Sequence, residues 1–242
     1  MSTTPYGGEF FDDISGPARR AAERILPLIA RALHPRSVVD VGCGTGEWLA
    51  AWMALGVTDV VGVDGSYVSH DQLVIPVDHF RPHDLRESLK LERRFDLAMS
   101  LEVAEHLPPE RGESFVADLV ALAPAVLFSA AIPGQRGVDH INERWQDYWC
   151  GLFAEHGYVA ADIVRPIVWS DPAEVTETSY AQNTILYLAP DQLIPEPLPM
   201  PTSVAHPRLF AMRTSEPIGL RDIAKALLPA IGRNIRRWLG HQ

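Results

Sequence analysis

The sequence predicts a doubly wound α/β fold, a mostly parallel sheet covered by helices on both faces. Three observations carry that expectation. Short β-branched runs alternate with stretches of helical spacing, the runs are apolar throughout as strands buried on both faces must be, and one run opens through closely spaced glycines into a helix. In such a sheet ligands gather at the carboxyl ends of the strands.

Taken in order, residues 15–33 place Ile25, Leu26, Ile29 and Leu33 on one helical face, with Ser15 as cap and Pro17 near the first turn, before His34-Pro35 stops the helix. Residues 37–41 (SVVDV) form the first strand, and Trp48, Ala51, Trp52 and Leu55 return to helical spacing after Glu47. Residues 57–63 form a second strand ending at Asp64-Gly65, and Phe95 to Ser100 form another, followed by a helical start at Glu102. A helix over 115–122, a buried strand over 125–131, a helix over 142–156 and strands over 158–164 and 184–188 complete the alternation. From Pro190 the pattern dissolves into a proline-dense linker, beyond which residues 218–239 form an amphipathic helix broken at Pro229 or Gly232. Three segments are therefore expected: an N-terminal helical cap or lid over 1–35, with Tyr6, Phe10 and Phe11 as covering residues, a core over 36–189, and the linker with its basic helix over 190–242.

Composition bounds the function. The 242 residues are 47% apolar and 21% charged, an ordinary globular balance, with 21 basic against 31 acidic side chains and a net charge of −10. The last 53 residues hold seven Lys/Arg and four Asp/Glu, which leaves −13 on the body. A body of that sign repels nucleic acid, so a small-molecule partner is expected. The basic helix, with Arg221, Lys225, Arg233, Arg236 and Arg237, reads as packing on the acidic body or across a homodimer, with an anionic membrane surface or phosphate-bearing acceptor as the alternative. Two cysteines, Cys43 and Cys150, make no disulfide framework, and the acidic start lacks the segments of a signal peptide, so a cytoplasmic protein is expected. No apolar stretch has the length of a bilayer span.

The strongest motif is residues 39–46, a strand turning through Gly42, Gly44 and Gly46 into a helix. Glycines serve where the backbone turns tightly and a ligand comes close. The spacing is G-x-G-x-G; a dinucleotide fingerprint would need glycine at position 47, where Glu47 stands, and a pyrophosphate there would meet its carboxylate. A ligand without phosphates fits better. Asp64, eighteen residues after Gly46, ends the next strand, where a carboxylate accepts hydrogen bonds from both hydroxyls of a ribose.

These residues resemble the class I S-adenosylmethionine-dependent methyltransferases, in register across about residues 36–189. The resemblance implies a Rossmann-like, seven-stranded form of the fold. It implies that Asp40, Gly42, Cys43, Gly44 and Gly46 hold the methionine part of S-adenosyl-L-methionine, and that Asp64 and Gly65 hold its ribose. Asp84 and Leu85, in His83-Asp84-Leu85 after a third strand, contact the adenine, although Asp84 equally suits a helix cap. Residues 100–107 (SLEVAEHL), with Ser100, Leu101 and Glu102, match the strand end nearest the transferred methyl.

On a helix starting at Glu102, Glu105 and His106 would share its face, and two close carboxylates call for a proton, an arginine or a divalent cation between them. With His140 from a neighbouring strand tip, Glu102, Glu105 and His106 make a mixed oxygen and nitrogen set suited to Mg²⁺ or Mn²⁺. The set resembles that of small-RNA 3′-terminal 2′-O-methyltransferases and ubiquinone-pathway O-methyltransferases. The same spacing also occurs in metal-free members of the family, with Glu102 near the cofactor and His106 as general base. Trp145, Tyr148 and Gln182 are candidate acceptor contacts, aromatic walls with an amide. The expected activity is methyl transfer to a small molecule, at a hydroxyl of a sugar or secondary metabolite. The alternatives are an RNA 3′ end as acceptor and a cofactor-binding partner without turnover.

Overall fold

The computed structural model describes residues 8–192 and 202–215. Its strands are β1 (Ser37–Val41), β2 (Asp59–Asp64), β3 (Phe80–Pro82), β4 (Leu97–Leu101), β5 (Ala125–Ser129), β6 (Val159–Ala161) and β7 (Ile185–Leu188), joined in one sheet in the order β3-β2-β1-β4-β5-β7-β6. The first five pair in parallel, and β7 runs antiparallel to both β5 and β6. The seven-stranded, mostly parallel, doubly wound fold is thus as expected, including the short third strand ahead of His83. The order turns between β1 and β4, which opens a crevice at their carboxyl ends.

Alternation along each central strand builds the two layers. Val38, Leu97, Met99 and Leu127 face α1 (Gly8–Leu33) and α2 (Glu47–Ala54), packing with Ile25, Leu26, Leu49 and Trp52. Val39, Ala98, Val126 and Phe128 face the other way, onto Phe115 and Leu119 of α3 (Gly112–Leu122) and Trp149 and Phe153 of α4 (Gln146–Glu155). With both faces covered, β1, β4 and β5 carry no solvent-side polar alternation.

Three elements differ from expectation. The first helix begins at Gly8, so Ser15 lies inside it and its hydroxyl meets Thr45 Oγ1 at 3.2 Å instead of capping. No helix starts at Glu102: that residue has φ +56°, and only a 3₁₀ turn, Ala104–His106, follows. The helix expected over 142–156 starts at Gln146, because the amides of Ile141 and Asn142 donate to the Glu105 carbonyl and that of Arg144 to the Ala131 carbonyl. Short helices α5 (Arg165–Val168) and α6 (Thr178–Asn183) precede β7, and within the proline-dense stretch residues 207–215 form α7 (Pro207–Ser215). The basic helix expected over 218–239 lies outside the described residues, as do Tyr6 and the side chains of Phe10 and Phe11. No helix among the described residues is long and apolar enough to cross a membrane.

Candidate active site

The loop from β1 to α2 is built on left-handed glycines, Gly42 at φ +88° and Gly46 at +93°. A β-carbon on Gly42 would lie 2.3 Å from Val103 Cγ2, and one on Gly46 2.9 Å from Ile75 Cγ1, so both conformation and space demand glycine. The turn brings the Gly44 amide to Asp64 Oδ2 at 2.7 Å, while Asp64 Oδ1 accepts from the Gly65 amide and the Tyr67 hydroxyl, each at 2.6 Å. Burial raises the Asp64 carboxyl, and these three donors oppose the rise. Asp40, 2% exposed beneath the loop, is pushed up to about 8 by burial and by Asp64.

The strand tips enclose a cavity of about 1090 Å³. Gly42, Cys43, Gly44, Asp64 and Gly65 line one end, followed by Asp84, Leu85, Leu101 and Glu102. Asp40, Gly46 and Ser100 do not line it; Ser100 is fully buried within the sheet, one residue short of the tip. Asp84 forms an ion pair with Arg86 at 2.5 Å and accepts from the Arg86 amide at 3.0 Å, the turn-capping alternative noted for it, while still reaching the cavity wall.

The other end holds Glu105, His106 and His140. The Glu105 carboxylate is fully buried and makes no hydrogen bond of ordinary geometry; burial, then neighbouring Glu102, drives it well above the usual carboxylate range. The His106 and His140 rings meet edge to face with centroids 4.8 Å apart, and burial together with His140 pushes His106 down to about 4. One ligating atom from each of Glu105, His106 and His140 lies within 4.8 Å of the other two, a spacing that fits a divalent cation. Glu102 is not in that group: with left-handed backbone it turns its carboxylate to Asn183 Nδ2 (3.1 Å) and Gln135 Nε2 (2.8 Å). The shared helical face expected for Glu102, Glu105 and His106 is therefore replaced by a division of roles, because the chain leaves β4 in a turn.

None of Trp145, Tyr148 and Gln182 lines the cavity. Trp145 precedes α4 and is 42% exposed, Tyr148 lies under the Arg144 guanidinium at 5.1 Å, and Gln182 is wholly buried behind Gln135 and Asn183. The wall comes instead from residues 135–141 and from Glu177, Ser179 and Tyr180. Glu143 staples this loop, accepting from the Gly134 amide (2.7 Å), the Arg136 amide (2.6 Å) and His140 Nδ1 (3.2 Å). Sequence reasoning passed over Gln135 and Glu143. The legible signal was a cluster of amides and acids just past strand tips, where packing alone favours apolar residues.

Comparison with known proteins follows the same lines. None of the curated proteins compared with the chain matches it. Among solved structures, an O-methyltransferase family protein from Burkholderia thailandensis is similar with TM-score 0.52 and 13% identity, over 75% of this chain and 57% of that one. Human N-acetylserotonin methyltransferase in complex with SAM gives 0.51 and 13%, over 75% and 55%. The methyltransferase domain of bacterial CtHen1-C gives 0.51 and 16%, over 71% and 98%. This chain spans little more than half the length of the first two. A family model described as a methyltransferase domain matches residues 16–162, well over half of the sequence, and the chain belongs to that methyltransferase-domain family.

Proposed function

We propose that this protein transfers the methyl group of S-adenosyl-L-methionine to a hydroxyl of a small acceptor. The observation that carries the reading is that the glycine loop, Asp64 and the Glu105–His106 turn all open into one cavity, which is roomy enough for both reactants. Gly42, Cys43 and Gly44 would receive the methionine part, Asp64 the ribose hydroxyls, and the Asp84-Leu85 wall the adenine. Bound there, the cofactor supplies an electrophilic sulfonium methyl group.

The chain's own residues supply alignment, a dry site and a place for one proton. His106, kept neutral by burial, has a ring lone pair with which to take the acceptor's hydroxyl proton. Glu105, His106 and His140 would hold a divalent cation, whose chemistry would be to acidify that hydroxyl. The two roles of His106 separate experimentally. With cation assistance, chelator abolishes turnover and Mg²⁺ or Mn²⁺ restores it; full activity in chelator leaves His106 as base. Carboxylates outnumber guanidinium and ammonium groups along the cavity wall, which favours a small acceptor over an RNA 3′ end.

The direct test is calorimetric titration with S-adenosyl-L-methionine, then incubation of labelled cofactor with small-molecule pools and with RNA bearing free 3′-terminal hydroxyls. Label in a small-molecule fraction with release of S-adenosylhomocysteine is the expected result. Absence of cofactor binding overturns the reading, and label in the RNA alone replaces the acceptor.

A further inference from the structure

The loop over residues 134–141 is built of glycine and polar side chains, with two exceptions. Val138 and Ile141 are 50% and 59% exposed, and both line the cavity. Single apolar residues on a surface are ordinary, but this pair is fixed beside the candidate chemistry. The Ile141 amide donates to the Glu105 carbonyl at 2.9 Å, and the His106 ring hydrogen-bonds to the backbone of Asp139 and Val138. Glu143 holds the stem of the same loop through the Gly134 and Arg136 amides. Arg136 and Asp139 keep left-handed backbone, φ +59° and +55°, which non-glycine residues adopt only where their surroundings impose it. The two aliphatic side chains are therefore held at the cavity wall. Leu107 and Pro108, directly after His106, line the cavity as well, so apolar groups reach that histidine from two separate segments of the chain.

An apolar wall left open to water is favourably covered by apolar surface. Valine and isoleucine are branched at the β-carbon and stiff at χ1, so the wall is preformed and covering it orders little of the protein. Its chemistry selects among hydroxyl compounds. A sugar would press hydroxyls against aliphatic groups that offer them no hydrogen bond. A flexible alkyl alcohol would lose its chain entropy on lying flat. An aromatic ring brings two apolar faces, no internal torsion and a hydroxyl in its own plane. Seated on Val138 and Ile141, such a ring has its edge free to meet His106.

We propose that Val138 and Ile141 are specificity-determining residues that seat one face of an aromatic acceptor, which makes the acceptor a phenol. The inference deepens the proposed methylation of a hydroxyl and rests on it. Because both side chains stand half in water, trimming them costs the fold little.

The test titrates the intact protein, alone and saturated with S-adenosylhomocysteine, with β-naphthol, n-octanol and methyl glucoside as probes. The naphthol is expected to bind most tightly. Val138→Ser and Ile141→Ser should each weaken it by about fivefold, through the apolar contact each gives up, while melting temperature and S-adenosylhomocysteine affinity stay at wild-type values. Naphthol affinity unchanged in both variants overturns the inference. So does tighter binding of n-octanol or of methyl glucoside, which would make the seat one for a lipid chain or a sugar. Naphthol binding that depends on Val138 and Ile141, in a protein that takes up no S-adenosylhomocysteine, keeps the aromatic seat and overturns the proposed methyl transfer instead.

Discussion

The Tyr67 hydroxyl donates to Asp64 Oδ1 at 2.6 Å, on the same oxygen that receives the Gly65 amide, while the Gly44 amide holds Oδ2. The carboxylate is thus oriented by the backbone on both oxygens, and Tyr67, 40% exposed, supplies a removable third donor where a ribose hydroxyl would bind. Asp64→Ala should therefore weaken S-adenosyl-L-methionine binding by well over tenfold, two hydrogen bonds to a charge being worth about 1.5–3 kcal/mol each. Tyr67→Phe should change it by less than about threefold, because the orienting amides remain. Calorimetry on the two variants checks the contrast, and equal losses would place the ribose elsewhere.

Gly42 and Val103 are in mutual contact across the β1 and β4 tips. A β-carbon at Gly42 would lie 2.3 and 2.8 Å from the two Val103 methyl groups, and the backbone there is left-handed. Gly42→Ala should destabilise the protein by about 2–4 kcal/mol through overpacking and backbone strain together. Adding Val103→Ala removes both clashing methyls and should restore part of the loss, leaving the strain, on the order of 1 kcal/mol. A urea-denaturation cycle over the four proteins measures the coupling; strict additivity would mean the clash is relieved by other movement.

Periodicity made the sheet readable because β1, β4 and β5 are apolar on both faces and α1 and α2 carry a clear buried stripe. The glycine loop and Asp64 were equally legible, since a left-handed turn and a strand-end acid leave fixed marks in sequence. Glu102 was harder. Its left-handed φ belongs to the tertiary turn out of β4, which local helical spacing contradicts, and so its partners Asn183 and Gln135, distant by 81 and 33 residues, stayed hidden. Trp145 and Tyr148 stay outside the cavity for a related reason. The register of α4 spends its inner face on packing Trp149 and Phe153 against β5.

Arg111 is 6% exposed and ties the Leu85 side of the cavity to α3. Its guanidinium donates to the carbonyls of Leu85 (3.1 Å) and Glu87 (2.9 Å), to Ser114 Oγ (2.7 Å) and to Asp118, whose carboxylate also holds the Leu89 amide at 2.8 Å. Removing one partner leaves the other charge buried, so Arg111→Met should cost about 3–5 kcal/mol in urea denaturation. Arg111→Lys should rescue little, since an ammonium cannot reproduce the planar fork that spans four acceptors. If lysine restores wild-type stability, the clamp is a point charge and its geometry is immaterial.

Asp40 gives the fold a pH dependence of definite sign. Burial first, and Asp64 second, raise its carboxyl from 3.8 to about 8. Between those values the folded protein holds a proton that the unfolded chain has released, so the contribution is fully present below the lower value and is lost as pH rises through the upper one. Wild-type melting temperature should therefore carry a component that declines from roughly pH 4 to pH 8. Asp40→Asn, uncharged throughout and nearly the same shape, should lack that component, so that the difference in melting temperature between variant and wild type shifts in the variant's favour as pH rises. Carboxylates that do not interact with Asp40 titrate equally in both proteins and cancel in the difference, which leaves Asp40 and its coupling to Asp64. A difference that stays flat across the range would mean that Asp40 is ionised in the folded state, stabilised by donors strong enough to offset its burial.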